Sequence, residues 1–171
     1  MKKIFFFILM TSILMLFSFY ASSLEKKEKD IIFRLSFLTP GIGIELRIKD
    51  NFTILGQTGV GIYAKEEDNK THLQFPFYVY ISPRYYYDLE KRRKQSKRVY
   101  NFSANYVGII LSNLFESSYI DQRFFITGVW GLKRSFSKNW YYEFSIGLEV
   151  YFQEDKNGLM GHMVFGLGII F

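Results

Sequence analysis

The last nine residues of this 171-residue chain alternate between large and small or aliphatic side chains. A β-strand repeats every two residues, so the large side chains share one face and the others share the opposite face. The face of large side chains consists of Met163, Phe165, Leu167, Ile169 and Phe171. On the other face, Gly166 and Gly168 are expected to leave room for neighbouring side chains. The segment is therefore predicted to be a strand with one fully apolar face.

The beginning of the chain has the pattern of an export signal. Met1-Lys2-Lys3 is a short basic segment, residues 4–20 are almost uninterruptedly apolar, and Ala21-Ser22-Ser23 provides small residues before a cleavage site. An uncleaved membrane anchor is the alternative, because about 17 apolar residues is near the lower limit for a spanning helix. The small residues favour cleavage after Ser23. We therefore predict a signal peptide at residues 1–23 and a single domain at residues 24–171.

The composition restricts the class of protein further. The chain has no Cys, which excludes disulfides, thiolate metal sites, Cys nucleophiles and a lipoprotein anchor. Aromatic residues make up 20% of the chain, and the mean hydropathy is +0.00. No second long apolar run follows the signal peptide, which disfavours a helical membrane protein. Transmembrane strands need only about 9 to 11 alternating residues each, so a β-barrel remains compatible with this mean hydropathy.

Eight segments have the two-residue alternation of strands. Turn signals separate several of them, including Asp50-Asn51 and Ser137-Lys138-Asn139, while residues 65–70 and 153–158 are predicted to be loops. The joint at Pro40-Gly41 is compatible with a turn or with a bulge. In the fifth segment the phase is ambiguous, and Val107, Ile109 and Leu111 are assigned to the outer face. The eight predicted strands are residues 31–39, 42–49, 52–63, 75–88, 102–115, 123–134, 140–152 and the terminal strand.

The terminal strand with its final Phe171 resembles the C-terminal strand of Gram-negative outer-membrane β-barrel proteins. Residues 82–88, Ser-Pro-Arg-Tyr-Tyr-Tyr-Asp, are also similar to a strand end of small barrels of this type. The resemblance implies an all-β fold, an eight-stranded antiparallel up-and-down transmembrane β-barrel, whose last strand pairs with the first. It also implies location in the outer membrane and an assembly signal formed by Phe165, Leu167, Ile169 and Phe171. A secreted β-sandwich is the alternative fold.

The same resemblance implies the partners of the chain. They are the outer-membrane lipid, the barrel assembly machinery and the periplasmic chaperones, and the protein is expected to be a monomer without cofactor or metal. Basic residues are concentrated at 91–98, where a solvated turn or a contact with anionic lipid head groups is expected. Nucleic acid is not expected as a partner of an exported chain.

Alternation within the predicted strands assigns charged residues to the barrel interior and aromatic residues to the membrane interface. Opposite charges in a narrow interior should pair, because an isolated buried charge is costly. The predicted interior ionic network consists of Arg34, Glu45, Arg47, Arg84, Glu143 and Glu149. Tyr and Trp favour a membrane interface because their rings are apolar and their polar atoms reach water. The predicted interface aromatics are Tyr85, Tyr86, Tyr87, Trp130 and Trp140.

The sequence contains few residues that suggest catalysis. Its two histidines, His72 and His162, are both predicted near the outer end. Some small outer-membrane barrels are lipid A-modifying enzymes that use His with Ser, but no Ser follows His162 at the spacing of the known deacylase. Other serines that folding could bring close are Ser112, Ser117 and Ser118.

We therefore expect a non-enzymatic barrel with a lumen filled by side chains, which acts in envelope structure or in surface interactions through its outer loops. Each alternative function has a structural requirement. A lipid A-modifying enzyme needs a His–Ser pair within hydrogen-bond reach. A narrow solute channel needs a continuous water-filled lumen, and a carrier of hydrophobic ligands needs a lateral gap in the barrel wall.

Overall fold

In the part of the chain that the structure describes, ten strands, one short α-helix and one 3-10 helix make up the regular structure. The computed structural model describes residues 30–61, 63–67, 70–116, 121–153 and 156–171, with side chains described in these ranges except at 63–67 and 70–72. The predicted signal peptide, Ser117 and Ser118 lie outside the described residues. The elements are β1 (Ile31–Ser36), β2 (Gly41–Lys49), β3 (Phe52–Val60), β4 (Tyr63–Glu67), β5 (Lys70–Gln74), β6 (Phe77–Tyr85), α1 (Leu89–Lys94), β7 (Asn105–Leu114), β8 (Arg123–Ser135), β9 (Trp140–Gln153) and β10 (Lys156–Ile170).

Eight of the strands form a closed antiparallel β-barrel in the order β1-β10-β9-β8-β7-β6-β3-β2. Each of these strands pairs with the next barrel strand along the chain, so that β3 pairs with β6. The barrel is closed by β10 against β1, where Arg34 is opposite Ile170 and Ser36 is opposite Gly168. The predicted eight-stranded fold and its closing pair are confirmed. The end of the barrel that holds the start of β1, the end of β10 and α1 is called the lower end, and the opposite end is called the upper end.

The barrel has an apolar outer face and a polar interior because the sequence alternates along each strand. In β8, for example, Phe124, Ile126 and Trp130 are exposed on the outside, whereas Thr127 and Lys133 are fully buried inside. The ambiguous phase of β7 is resolved as predicted, since Val107, Ile109 and Leu111 are all exposed.

Two predicted loops differ from the structure. Residues 65–70, predicted to be a loop, belong mainly to β4 and β5, which form a separate two-stranded sheet beyond β3 and β6. The predicted loop 153–158 is much shorter, because β9 extends to Gln153 and β10 begins at Lys156. In both cases paired backbone groups satisfy their hydrogen bonds despite polar side chains. The open joint at Pro40-Gly41 is a turn, since β1 and β2 pair across it from Ser36 to Gly41.

The long connection between β6 and β7 covers the lower mouth of the barrel. Its basic segment was expected to be a turn, but Leu89–Lys94 forms α1, whose residues are mostly good helix formers and whose Leu89 is 1% exposed. A short 3-10 helix follows at Tyr100–Phe102, and Phe102 is also 1% exposed. The two apolar side chains fix the connection against the barrel, whereas the basic side chains of α1 stay largely at the surface. Within the described residues, no helix has the length and apolar character needed to cross a membrane.

Candidate functional site

A buried ionic network crosses the middle of the barrel. Glu143 on β9 forms an ion pair with Arg84, whose Nη1 is 2.7 Å from Glu143 Oε1, and also contacts Arg34 Nη2. Glu45 on β2 accepts from Lys133 Nζ at 2.6 Å and lies 3.7 Å from Arg34 Nη1. All five side chains are at most 9% exposed. Three cations against two carboxylates leave this network with one excess positive charge, and each buried ion has an opposite partner as burial requires.

The predicted network is brought together only in part. Arg34, Glu45, Arg84 and Glu143 meet as expected. Arg47 lies nearer the lower end, where its guanidinium is 3.4 Å from Asp30 Oδ1 and 4.6 Å above the Phe102 ring. Glu149 lies nearer the upper end and binds other residues. Lys133, which the prediction omitted, is fully buried in the network.

Three tyrosines support the network from within the barrel. Tyr86 Oη donates to Glu45 Oε1 at 2.6 Å, Tyr106 Oη donates to Glu143 Oε1 at 2.5 Å, and Tyr141 Oη accepts from Arg34 Nη2 at 3.1 Å. All three are at most 1% exposed. The expectation that Tyr86 lies at the outer interface is therefore not met. Its neighbours Tyr85 and Tyr87 point outwards, and the two-residue repeat turns Tyr86 inwards.

The other predicted interface aromatics do lie on the outer surface near the lower end. Tyr85, Tyr87, Trp130 and Trp140 are 49%, 44%, 38% and 39% exposed. Trp130 Nε1 donates to Tyr87 Oη at 2.8 Å, which ties β8 to the end of β6. Trp140 on β9 also contacts Phe37, the residue that follows β1, with ring centroids 5.8 Å apart.

A cavity of about 330 Å³ lies above the ionic network in the upper half of the barrel. Arg34, Arg84 and Glu143 belong to its lining, so the network forms its floor. Its wall includes the apolar side chains Ile110, Leu114, Phe125 and Val164 and the polar side chains Ser112, Ser145, Glu149 and His162. The cavity thus has an ionic floor and a mixed wall, as expected of a ligand site with a few placed polar groups.

His162 contacts two polar side chains of β9 from its position on β10. Its Nε2 is 3.3 Å from Ser145 Oγ, and its Nδ1 is 3.4 Å from Glu149 Oε2. The same Glu149 oxygen accepts a hydrogen bond from Thr127 Oγ1 at 2.7 Å. The His–Ser pair that the sequence left open is therefore present, and its serine is Ser145, which the sequence analysis did not name.

The strand register explains this contact. His162 is directly opposite Gly147, and Ser145 and Glu149 are the inward residues on either side of Gly147. Diagonal neighbours on one face of a sheet are close enough for long side chains to touch. Because Gly147 has no side chain, the imidazole is free to reach both neighbours. A Cβ at Gly147 would overlap the backbone of Gly128, so this position requires glycine.

The barrel wall has an unpaired strand edge beside this group. Above Ser36, the backbone of residues 37–40 adds one hydrogen bond to β10, from Phe37 N to Leu167 O at 2.9 Å. In the described part of the chain, residues 156–166 of β10 pair with β9 alone. We call this unpaired stretch of wall, between residues 156–166 and the 37–40 turn, the side gap. The cavity lining includes Thr39 on the turn and Gly166 on β10, so the cavity reaches the gap.

For the other histidine, His72, only the backbone is described. His72 lies in β5 opposite Lys65, and its side chain is outside the described set. Among the described residues, no group of three or more His, Asp or Glu side chains is arranged to hold a metal ion.

No protein-family model, curated protein or solved structure matches the chain.

Proposed function

We propose that the protein is an integral β-barrel of the Gram-negative outer membrane with a closed lumen, acting in envelope structure or surface interaction through its upper end. The observation that carries the proposal is the inverted polarity of the barrel. Exposed apolar side chains occur all along the outside, for example Ile44, Val79, Ile109, Ile126 and Leu148, while the buried interior holds ion pairs. A continuous apolar surface of this kind is costly in water and suits a bilayer.

The interior supports a closed lumen rather than a solute channel. Glu45 and Lys133 are fully buried at the centre, and Phe102 and Leu89 lie beneath them at the lower mouth. Eight strands enclose an interior that is just wide enough to be filled by side chains. A path for solutes would have to separate buried ion pairs, which is costly.

Membrane location would also assign roles to parts of the chain that are otherwise unexplained. Tyr85, Tyr87, Trp130 and Trp140 would lie at the periplasmic interface, where amphipathic rings are favoured. The basic side chains of α1 would face the periplasm at the same end. Lipid, the barrel assembly machinery and periplasmic chaperones are the partners that this proposal implies.

The contact between His162 and Ser145 favours a second candidate function, that of a hydrolase acting on acylated envelope lipids such as lipid A. This contact is the feature that separates an enzyme from a purely structural barrel. The side gap is likewise the feature that a carrier of hydrophobic ligands requires. Both observations support an activity in the upper half of the barrel.

The membrane proposal is tested by expressing the full chain in a Gram-negative host and separating the membranes by density. We expect the protein in the outer-membrane fraction, beginning at Leu24. Without heating, it should migrate faster on a detergent gel than after boiling, because a closed barrel resists unfolding by detergent. Migration is followed by immunoblot of an added epitope tag.

A vesicle leakage assay on the same purified sample serves as the control for the closed lumen. Small charged dyes should stay inside vesicles that contain the barrel. Recovery of the protein as a soluble monomer without detergent would contradict the membrane proposal, and rapid dye release would contradict the closed lumen.

Replacement of the last aromatic residue tests the assembly signal that the resemblance implies. Phe171→Asn is expected to lower the amount of folded barrel in the outer membrane several-fold. Its backbone N–H already bonds Phe33 O at 3.0 Å, so the substitution changes the side chain without removing this bond. The matched control is Phe136→Asn, an exposed Phe outside the terminal strand. Equal surface levels of the two variants would refute a special role for Phe171.

A further inference from the structure

Three cavity side chains contact one another in the order that acyl-transfer chemistry requires. Ser145 Oγ is 3.3 Å from one nitrogen of His162, and Glu149 is 3.4 Å from the other. We propose that Ser145, His162 and Glu149 form a catalytic triad that hydrolyses an ester-linked acyl chain of a membrane lipid, admitted through the side gap. The proposed membrane location supplies only the source of this substrate, whereas the triad depends on contacts inside the barrel.

The geometry assigns a different role to each side chain. A proton on His162 Nδ1 would face Glu149 Oε2 at 3.4 Å, which leaves Nε2 free to accept the Ser145 hydroxyl proton. Thr127 Oγ1 donates to the same Glu149 oxygen at 2.7 Å and so holds the carboxylate in place. The Ser145–His162 distance is slightly long, as is common before substrate binds.

Negative charge that develops during the reaction would meet a cationic floor. Glu143 is the next inward residue below Ser145 on β9, and it holds the guanidinium groups of Arg34 and Arg84. The floor network has one positive charge in excess. Fixed positive charge beside a tetrahedral oxyanion stabilises it more in a buried site than in water.

The side gap suggests where the acyl chain comes from. The free edge of β10 borders the gap, and its outward side chains Leu159 and Met163 are 68% and 70% exposed. Inside the gap, Val164 leads to apolar wall residues that include Ile110 and Phe125. An acyl chain that moves sideways out of the bilayer therefore stays in apolar contact until its ester reaches Ser145.

The reaction is a hydrolysis in two steps with water as the co-reactant. Ser145 Oγ attacks the ester carbonyl carbon and gives its proton to His162 Nε2, which passes the proton to the departing alkoxide as the ester bond breaks. Water then attacks the acylated Ser145, giving a proton to His162, and the proton returns to Ser145 Oγ as the acyl bond breaks. The products are one alcohol and one carboxylic acid.

The first test uses a serine-directed fluorophosphonate with a long alkyl chain on the full chain purified in detergent. Peptide mapping by mass spectrometry is expected to find the label on Ser145. Ser145→Ala should abolish labelling, and His162→Gln should lower its rate about 100-fold or more, since positioned general bases typically contribute at least that much. Ser96→Ala is the control, because Ser96 is an exposed serine beyond α1 that does not line the cavity, and this variant should label like the unmodified chain.

The second test measures hydrolysis of p-nitrophenyl esters by the same samples. A decanoyl ester should be hydrolysed at least about tenfold faster than an acetyl ester, because its additional methylene groups leave water for an apolar site. Heat-modifiable migration is recorded for every sample, so loss of folding is separated from loss of chemistry. A folded barrel in which Ser145 stays unlabelled would overturn the triad but leave the membrane proposal standing. A preference for the acetyl ester would overturn the lipid substrate.

Discussion

Replacing Glu143 with Leu is expected to lower the free energy of unfolding by about 3–5 kcal/mol, which is the usual cost of removing one partner from a buried ion pair. Glu143 accepts hydrogen bonds from Tyr106 and Arg34 and forms an ion pair with Arg84. Leu leaves both cations without this carboxylate, although their side chains are only 4% and 3% exposed. The measurement is urea unfolding of the barrel in detergent micelles, followed by Trp fluorescence.

Two further variants make this result specific. Glu90→Gln, at an exposed position of α1, should change the free energy of unfolding by less than about 0.5 kcal/mol. Arg34→Met combined with Glu143→Leu should be less destabilised than the sum of the two single variants, because removing both partners leaves fewer unpaired charges. If Glu143→Leu unfolds at the same urea concentration as the unmodified chain, the network does not support the barrel.

Much of the fold could be predicted because a barrel strand encodes its two faces locally. Alternation within the predicted strand at residues 42–49 puts Ile42, Ile44 and Leu46 on the face opposite Glu45, and the burial of these residues agrees. Lys133 carries the same signal, since it follows the apolar Leu132 in the predicted strand at residues 123–134. Tyr86 was misplaced because three consecutive tyrosines have no polar alternation that shows which of them turns inwards.

The His162 site could not be predicted in the same way because it depends on cross-strand register. His162 meets Gly147 only because Lys156 pairs with Gln153 at the start of the hairpin. A slip of one residue would place Leu148 opposite His162 and turn every side chain of one strand to the other face. The predicted loop at 153–158 was too long to set this register, and neither Ser145 nor His162 carries a local motif.

The side gap has the same kind of origin, since it follows from unequal strand lengths. β1 ends at Ser36, whereas β9 and β10 continue to Gln153 and Lys156. Phe37, the residue that follows β1, contacts Trp140, the first residue of β9. Because β9 begins at the lower end, β1 covers only a small part of the height of the wall. The sequence contains the Pro40-Gly41 turn, but only the pairing of β1 with β10 shows that the wall is incomplete above it.

Gly168→Val is expected to open the barrel at its seam, the short pairing between β1 and β10. A Cβ at Gly168 would overlap the backbone oxygen of Leu35 on β1 and lie 2.7 Å from Tyr141 Cε1 on β9. Overpacking usually costs about 1–3 kcal/mol, and more where the obstacle is backbone. Since β1 and β10 share only three registered pairs, we expect most of the protein to lose heat-modifiable migration.

The matched control for Gly168→Val lies on the same strand. A Cβ at Gly161 would meet nothing within 4 Å, so Gly161→Val should fold like the unmodified chain. Val also favours strands more than Gly does, which excludes a general loss of strand propensity as the cause. Equal folded fractions for the two variants would mean that the seam tolerates a side chain at Gly168 and that closure does not depend on this contact. A loss confined to Gly168→Val would identify the contact of Gly168 with Leu35 and Tyr141 as a requirement for closing the barrel.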